Sequence, residues 1–274
     1  MKFLILLFLV ACFKTPPLPP LPTPIVTVTP VIESGIQVID GQGKTVLGPL
    51  EVIDKKNVLI KNFNIVGFRG KGDPAGIRIL RSQNVTVDNV SVSKIESQDQ
   101  AHCILVENSQ GVKILNSKFF EMKIGSSECL SMHGEDFLIK GNEIYNINNI
   151  GIDVMGCESG RGPGRNGIIR NNFVHHIGYT AEYKTRKSPA GIYIDCGIGI
   201  LIEGNTVSDS IVGIEVGSEH EKPSENIRVI NNKMLNNQKI GLKLNSGQTT
   251  KNLVKSGNVM TGNGEADLLD EKGD

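Results

Sequence analysis

The sequence predicts an all-β solenoid of about eight coils, and three observations carry that prediction. The first is composition: 31 Gly and 24 Asn accompany 39% apolar residues, which is too apolar for disorder and too rich in turn formers for a helical chain. The second is a unit of two short alternating strands joined at Asn or Gly-Asn. It recurs as NVLIKNFNIVG, NVTVDNVSVSKI, GVKILNSKFFEM, DFLIKGNEIYNI, NGIIRNNFVHHIG, GILIEGNTVSDS, NIRVINNKMLNN and NLVKSGNVMTGN. Anchored at Asn62, Asn89, Asn116, Gly141, Asn171, Gly204, Asn231 and Gly257, the spacings are 27, 27, 25, 30, 33, 27 and 26, a period that marks a solenoid. The third is a second series of strands between these units, at 76–80, 103–107, 151–155, 191–195, 213–217 and 241–245, with Cys129 to His133 filling the missing place.

The N-terminus precedes this body. MKFLILLFLVAC carries one early Lys and an apolar run from Phe3 to Ala11. That run is shorter than the ~20 residues that cross a bilayer, so residues 1–11 read as a signal peptide. Leu9-Val10-Ala11-Cys12 resembles the lipobox of bacterial lipoproteins, which implies lipidation of Cys12 and attachment to an envelope membrane. Residues 12–30 hold seven prolines, which keep the segment extended as a spacer. The solenoid is expected over 31–274, with the stretch from Asn263 onward as a polar cap. Equal numbers of basic and acidic side chains, 29 each, leave no basic stripe for phosphates, so no nucleic-acid partner is expected.

Within the coils, alternation sends Ile77, Ile79, Ile152, Val154, Ile192, Ile194, Ile214, Val216, Leu242 and Leu244 inward to one continuous core. The residue after the anchor is again Asn at 142, 172, 205, 232 and 258. Amides stacked at one bend predict an internal asparagine ladder. With these residues in view, the sequence resembles the right-handed parallel β-helix repeat proteins of the pectin-lyase-like superfamily over roughly 36–263. The opening VIDGQGKTVLGPLEVIDKKNVLIKNFNIVG and the motifs NNIGIDVMGCESG, AGIYIDCG and VGIEVGSEH carry that resemblance. It implies a right-handed parallel β-helix; because this fold hosts hydrolases, lyases, epimerases and inert domains, it leaves the chemistry open.

The same alternation turns Asp153, Tyr193, Asp195, Glu215 and Lys243 outward. Coils lie ~4.8 Å apart and two residues span ~6.6 Å, so Asp195 is expected ~8 Å from Asp153 and from Glu215, backbone to backbone. That matches the ~6.5–9.5 Å between the acid and base of inverting glycosidases. A lone carboxylate on a sheet face is ordinarily solvated, but three in one file repel and need compensation. Crowding raises at least one pKa, which suits one group to the acid role.

Asp153, Asp195, Glu215, Glu219 and His220 are therefore the expected catalytic residues of a glycoside hydrolase acting on a polysaccharide. Tyr193, Glu158, Arg186 and Lys243 are the expected substrate contacts. Two other readings stay open. The carboxylates with Glu158 and Glu219 can form a Ca²⁺ cage, and a lyase would draw its base from Tyr179, Tyr183, Lys184, Arg186, Lys187 or Lys243. The flank can also belong to a non-catalytic glycan-binding or spacing module of the envelope. The absence of Trp counts against sugar stacking, and His102, His133, His175 and His176 receive no role. Cys103 and Cys129 share register and are expected in or beside the core, while Cys157 and Cys196, on adjoining coils, are expected to form a disulfide.

Overall fold

The computed structural model describes residues 31–271, apart from positions 98, 124, 159, 179–188, 220–221 and 246–248. The expected signal peptide, Cys12 and the proline-rich linker lie outside the described residues. Among the described residues every regular element is a strand, and no helix is long and apolar enough to cross a membrane.

Each coil contributes one strand to each of three parallel sheets, called I, II and III here. The coil that begins at Leu50–Ile53 in sheet I continues through Lys56–Lys61 in sheet II and Asn64–Arg69 in sheet III. The next repeats the circuit with Ala75–Leu80, Gln83–Asp88 and Ser91–Glu96, each paired in parallel with its predecessor. Nine strands stack in each sheet, and eight complete coils lie between Leu50 and Thr261. The repeated sequence units are the pairs of sheets II and III, and the interleaved Gly-initiated series is sheet I. At the N-terminal end Val31–Glu33 folds back antiparallel on Ile36–Asp40.

The bend between sheets II and III explains the repeat. All eight anchors have left-handed backbone, with φ between 47° at Asn116 and 69° at Gly141. Asn and Gly adopt that region at the least cost, so only they occupy the position. At Gly204 there is a second reason, since an added Cβ would lie 2.5 Å from Asn171 Oδ1.

The ten residues expected inside all belong to one core cluster. Beside them runs the amide ladder. Asn172 Oδ1 accepts from Asn142 N and Nδ2, both at 3.0 Å, and Asn205 Oδ1 accepts from Asn172 N and Nδ2, both at 2.9 Å. Asn232 Oδ1 accepts in the same way from Asn205, and Asn258 Oδ1 from Asn232. Each amide also donates to a carbonyl one coil back, as Asn205 Nδ2 does to Ile169 O at 2.9 Å. The buried amides are thus satisfied at both ends, which is the condition for burying them at all. In the first coils the same position holds buried Phe63, Val90 and Ser117.

Asn205→Ala removes the acceptor for Asn172 N and Nδ2, and it deprives Asn232 Oδ1 of one of its two donors and Ile169 O of its amide donor, while the backbone N–H at 205 stays. Unpaired buried groups of this kind cost ~1–3 kcal/mol each, so the variant is expected to lose about 3 kcal/mol, read as a lower midpoint in urea unfolding.

Candidate functional site

Outside sheet I, the parallel register brings Ser131, Asp153, Tyr193, Glu215 and Lys243 into one file on five successive strands. Asp195 is two residues along, opposite Met155 and Gly217. The residues that alternate with them, Ile152, Val154, Ile192, Ile194, Ile214 and Val216, are in the core. The carboxyl groups therefore occupy one outer flank, on neighbouring rungs ~4.8 Å apart.

That flank differs from the expected solvated face in its burial. Asp153 is 0% exposed, Asp195 1%, Tyr193 7% and Glu215 8%. Beside the flank lies a second apolar cluster, in which Tyr193 packs with Ile150, Ala190, Ile211, Val212 and Ile240. Among the described acidic residues expected at the site, only Glu219 and Glu158, on the loops after the strands, are substantially open, Glu158 with 38% of its side chain exposed. His220 and Arg186 lie outside the described residues, as do Tyr179, Tyr183, Lys184 and Lys187.

Burial sorts the carboxyl groups into different states. No N–H or hydroxyl donor reaches either oxygen of Asp153, and the group beside it is the Glu128 carboxyl. Burial first, then the charges of Glu128, Asp195 and Glu219, push its carboxyl well above the usual range, so it is held neutral. Asp195 Oδ1 accepts the backbone N–H of Glu219 at 2.8 Å and so fixes the start of that loop. Glu215 is raised by burial, while Lys243, with Nζ 2.9 Å from Oε1, pulls in the opposite direction. Burial works against the Lys243 charge, but Glu215 outweighs it and the ammonium is held upward. Tyr193, desolvated and close to Asp195, is raised as well.

Four further residues belong to this neighbourhood. Glu128, nearly buried, accepts from Gln100 Nε2 at 3.0 Å and is pushed up to about 7 by burial and by Glu158. His102 donates Nδ1–H to the Glu128 carbonyl at 2.9 Å, and its Nε2 is buried without a partner; burial holds it down at about 4. His133, down at about 3 for the same reason, has Nε2 3.2 Å from Ser131 Oγ and Nδ1 3.8 Å from Glu158 Oε2. Arg161 pairs with Asp73 and reaches Glu107 at 3.4 Å and Glu158 at 3.5 Å, tying the loop 156–166 to the flank. Alternation misses Glu128 and His102 because it breaks beside them: Cys103 and Ile104 are both in the core, as are Cys129 and Leu130.

Cys157 and Cys196 are joined in a disulfide with Cα atoms 5.6 Å apart, fastening the loop after Ile150–Met155 to the residue that follows Asp195. Cys103 and Cys129 are free, buried and part of the core. Among the described residues no three or more His, Cys, Asp or Glu side chains converge as metal ligands, so the calcium cage of Asp153, Asp195, Glu215, Glu158 and Glu219 is not formed there.

Residues 102–273 match the family described as "Right handed beta helix region". The chain is 32% identical over 149 residues to the uncharacterized protein YwoF of Bacillus subtilis (strain 168), across 49% of this chain and 31% of that one. Among solved structures it is similar to the periplasmic alginate epimerase AlgG, at 13% identity and a TM-score of 0.59, over 79% of this chain and 49% of that one. It is also similar to the A-module of the Azotobacter vinelandii mannuronan C-5 epimerase AlgE6, at 14% identity and a TM-score of 0.52, over 80% of this chain and 65% of that module. The chain thus spans less than two thirds of each, and likeness at this identity speaks to the fold.

The raised carboxyl of Glu128 makes a prediction about pH. Between its usual value of 4.5 and about 7, the unfolded chain releases the proton while the folded chain keeps it, so stability falls as pH rises through that window. His102 and His133, held below 6.5, act in the opposite sense and lose stability as pH falls toward 4 and 3. Glu128→Gln keeps the Gln100 contact and removes the first effect, and it also removes the Glu128 charge that raises Asp153, which acts in the same direction. It is expected to unfold at a higher temperature than the parent at pH 8, by on the order of 2–3 kcal/mol, and to match it at pH 4.

Proposed function

The chain belongs to the right-handed β-helix family, and from that premise we propose that it acts on a polysaccharide, cleaving glycosidic bonds by acid–base hydrolysis on the outer flank of sheet I. One observation carries the reading: carboxyl groups on adjoining rungs have environments that drive their protonation apart, with Asp153 buried against Glu128 and held neutral, and Glu215 set between burial and Lys243. A flank that runs along a solenoid, with Glu219 and Glu158 open at its edge, suits an extended polymer, and two similar structures are an alginate epimerase and a mannuronan C-5 epimerase.

In this reading Glu215 and Glu219 are the catalytic pair, because Glu219 is exposed and Glu215 keeps 8% exposure, against 0% for Asp153 and 1% for Asp195. Glu215, raised by burial, donates its proton to the bridging oxygen as that bond to the anomeric carbon breaks. Glu219 takes a proton from the water that attacks the same carbon. One water is consumed and one reducing end is formed. Asp195 is a positioning residue through its bond to the Glu219 backbone. Asp153 lies beneath as an uncharged group, so it adds no repulsion to the ionised site. Tyr193, Glu158 and Lys243 are the proposed sugar contacts, with Arg186 and His220 as further proposed members. We also propose that the protein is exported and held in the envelope by a lipid on Cys12; the Cys157–Cys196 disulfide fits an oxidising compartment.

The test incubates the purified protein with neutral and acidic polysaccharides, with and without chelator, and follows new reducing ends and ultraviolet absorbance. Reducing ends alone are expected. An absorbing unsaturated product would replace hydrolysis by β-elimination, and neither signal would leave a binding module. Glu215→Gln is expected to lower turnover at least ~100-fold. Lys243→Ala removes the charge that draws the Glu215 pKa down, so the alkaline limb of its kcat/KM profile is expected to move to higher pH. Cys12→Ser is expected to move the protein from the membrane pellet to the soluble fraction.

A further inference from the structure

Where sheets I and II meet on the N-terminal coils, the bends enclose a cavity of about 510 Å³ that the chemistry above does not use. Lys55, Lys56, Arg81 and Gln83 line it, and Asn108 and His133 complete it. The cavity touches the candidate site. His133 stands on the outer flank of sheet I in register with Glu107, its Nδ1 is 3.8 Å from Glu158, and Pro163 of the loop 156–166 lines the cavity too.

Charge indicates the occupant. Two carboxylates reach the rim, and both are already matched. Asp54 accepts from Arg81 Nε at 2.7 Å and Nη2 at 2.8 Å, and Glu135 accepts from Arg165 Nη2 at 2.6 Å. Among the described residues no carboxylate stands within ion-pair distance of Lys55 or Lys56. Once the Asp54–Arg81 and Glu135–Arg165 pairs are set against each other, the ammonium groups of Lys55, which also acts on Asp54, and Lys56 remain beside the amides of Gln83 and Asn108, the latter donating to Gly160 O at 2.8 Å. A volume of this size falls within the ~300–1,000 Å³ of sites for small ligands, and cations beside amide donors recognise a carboxylate or sulfate among hydroxyl groups.

We propose that this cavity binds an anionic sugar unit, carboxylated or sulfated, of the polymer whose chain continues across the carboxyl flank. The inference rests on the polysaccharide reading and makes the substrate an acidic glycan. Lys55 and Lys56 select the charge, and Arg81, kept in place by Asp54, supplies the edge of the site.

Binding is measured by calorimetry on the full chain with three tetrasaccharide probes, one uronate, one sulfated and one neutral, at low and high salt. At least one charged probe is expected to bind at least ~10-fold more tightly than the neutral one, with an affinity that falls as salt rises, and the better charged probe identifies the anion. The double variant Lys55→Ala/Lys56→Ala is expected to lose at least ~10-fold for that probe and nothing for the neutral one. Both side chains are exposed, so its unfolding temperature is expected to match the parent's. Equal binding of neutral and charged probes, no binding of either charged probe, or unchanged binding by the double variant would overturn the proposal. The two readings fail separately: a chain that binds the charged probe through these lysines without cleaving any glycan keeps this site and loses the hydrolase, whereas cleavage of a neutral glycan without charged binding does the reverse.

Discussion

Everything in this molecule depends on register, and register is fixed at the bend between sheets II and III. The left-handed anchor sets the turn, and the amide after it binds both the same position on the next coil and a carbonyl on the one before. A slip of one residue in any coil from Asn142 to Asn258 would expel an Asn from the core side and leave its neighbours' donors unpaired, at a cost several times the gain from any single apolar contact. The ladder is therefore a device for specificity as much as for stability. A second, shorter one at the next bend, running from Ser210 through Asn237 to Asn263, repeats the arrangement.

Exact stacking has an electrostatic consequence. Any charge that recurs at one register faces its own kind ~4.8 Å away. The flank of sheet I meets that constraint in two ways. Glu215 is offset by Lys243 on the following rung, and Asp153 is driven to its neutral form. Further toward the N-terminus, alternating signs do the work, with Glu107 between Arg78 and Arg161. The disulfide from Cys157 to Cys196 ties together the two coils where the crowding is greatest. Acid–base potential at the flank thus follows from how the solenoid tolerates carboxyl groups in a row.

The sequence made legible what is periodic. The core positions from Ile77 to Leu244, the amide ladder and the file of Asp153, Tyr193 and Glu215 all follow from alternation and spacing, because each repeats with the coil. What it hid is aperiodic. Asp153 and Asp195 are buried where alternation assigns them to solvent, and a second apolar cluster around Tyr193 lies outside the core. Glu128 and His102 sit beside the irregularity at Cys103–Ile104, where two successive residues face inward and parity is lost. Arg161 reaches Asp73 across 88 residues from an insertion loop, a contact that no repeat encodes. The row of stacked rings from Phe120 through Tyr145 to His175 was equally unmarked, although its members share register.

The same reasoning accounts for the end of the stack. A solenoid's last coil leaves strand edges and inward positions without a successor, which invites another chain to continue it. Here Lys255 takes the register position of the core residue Val229, and Asp270 that of Leu244. Their side chains meet at 3.4 Å across the coil end. Opposite charges at these inward register positions of the last described coil pair with each other, while like charges at outward positions are offset by Lys243 or driven neutral by burial. Both follow from a winding that repeats its register faithfully and so has to dispose of every charge that it stacks.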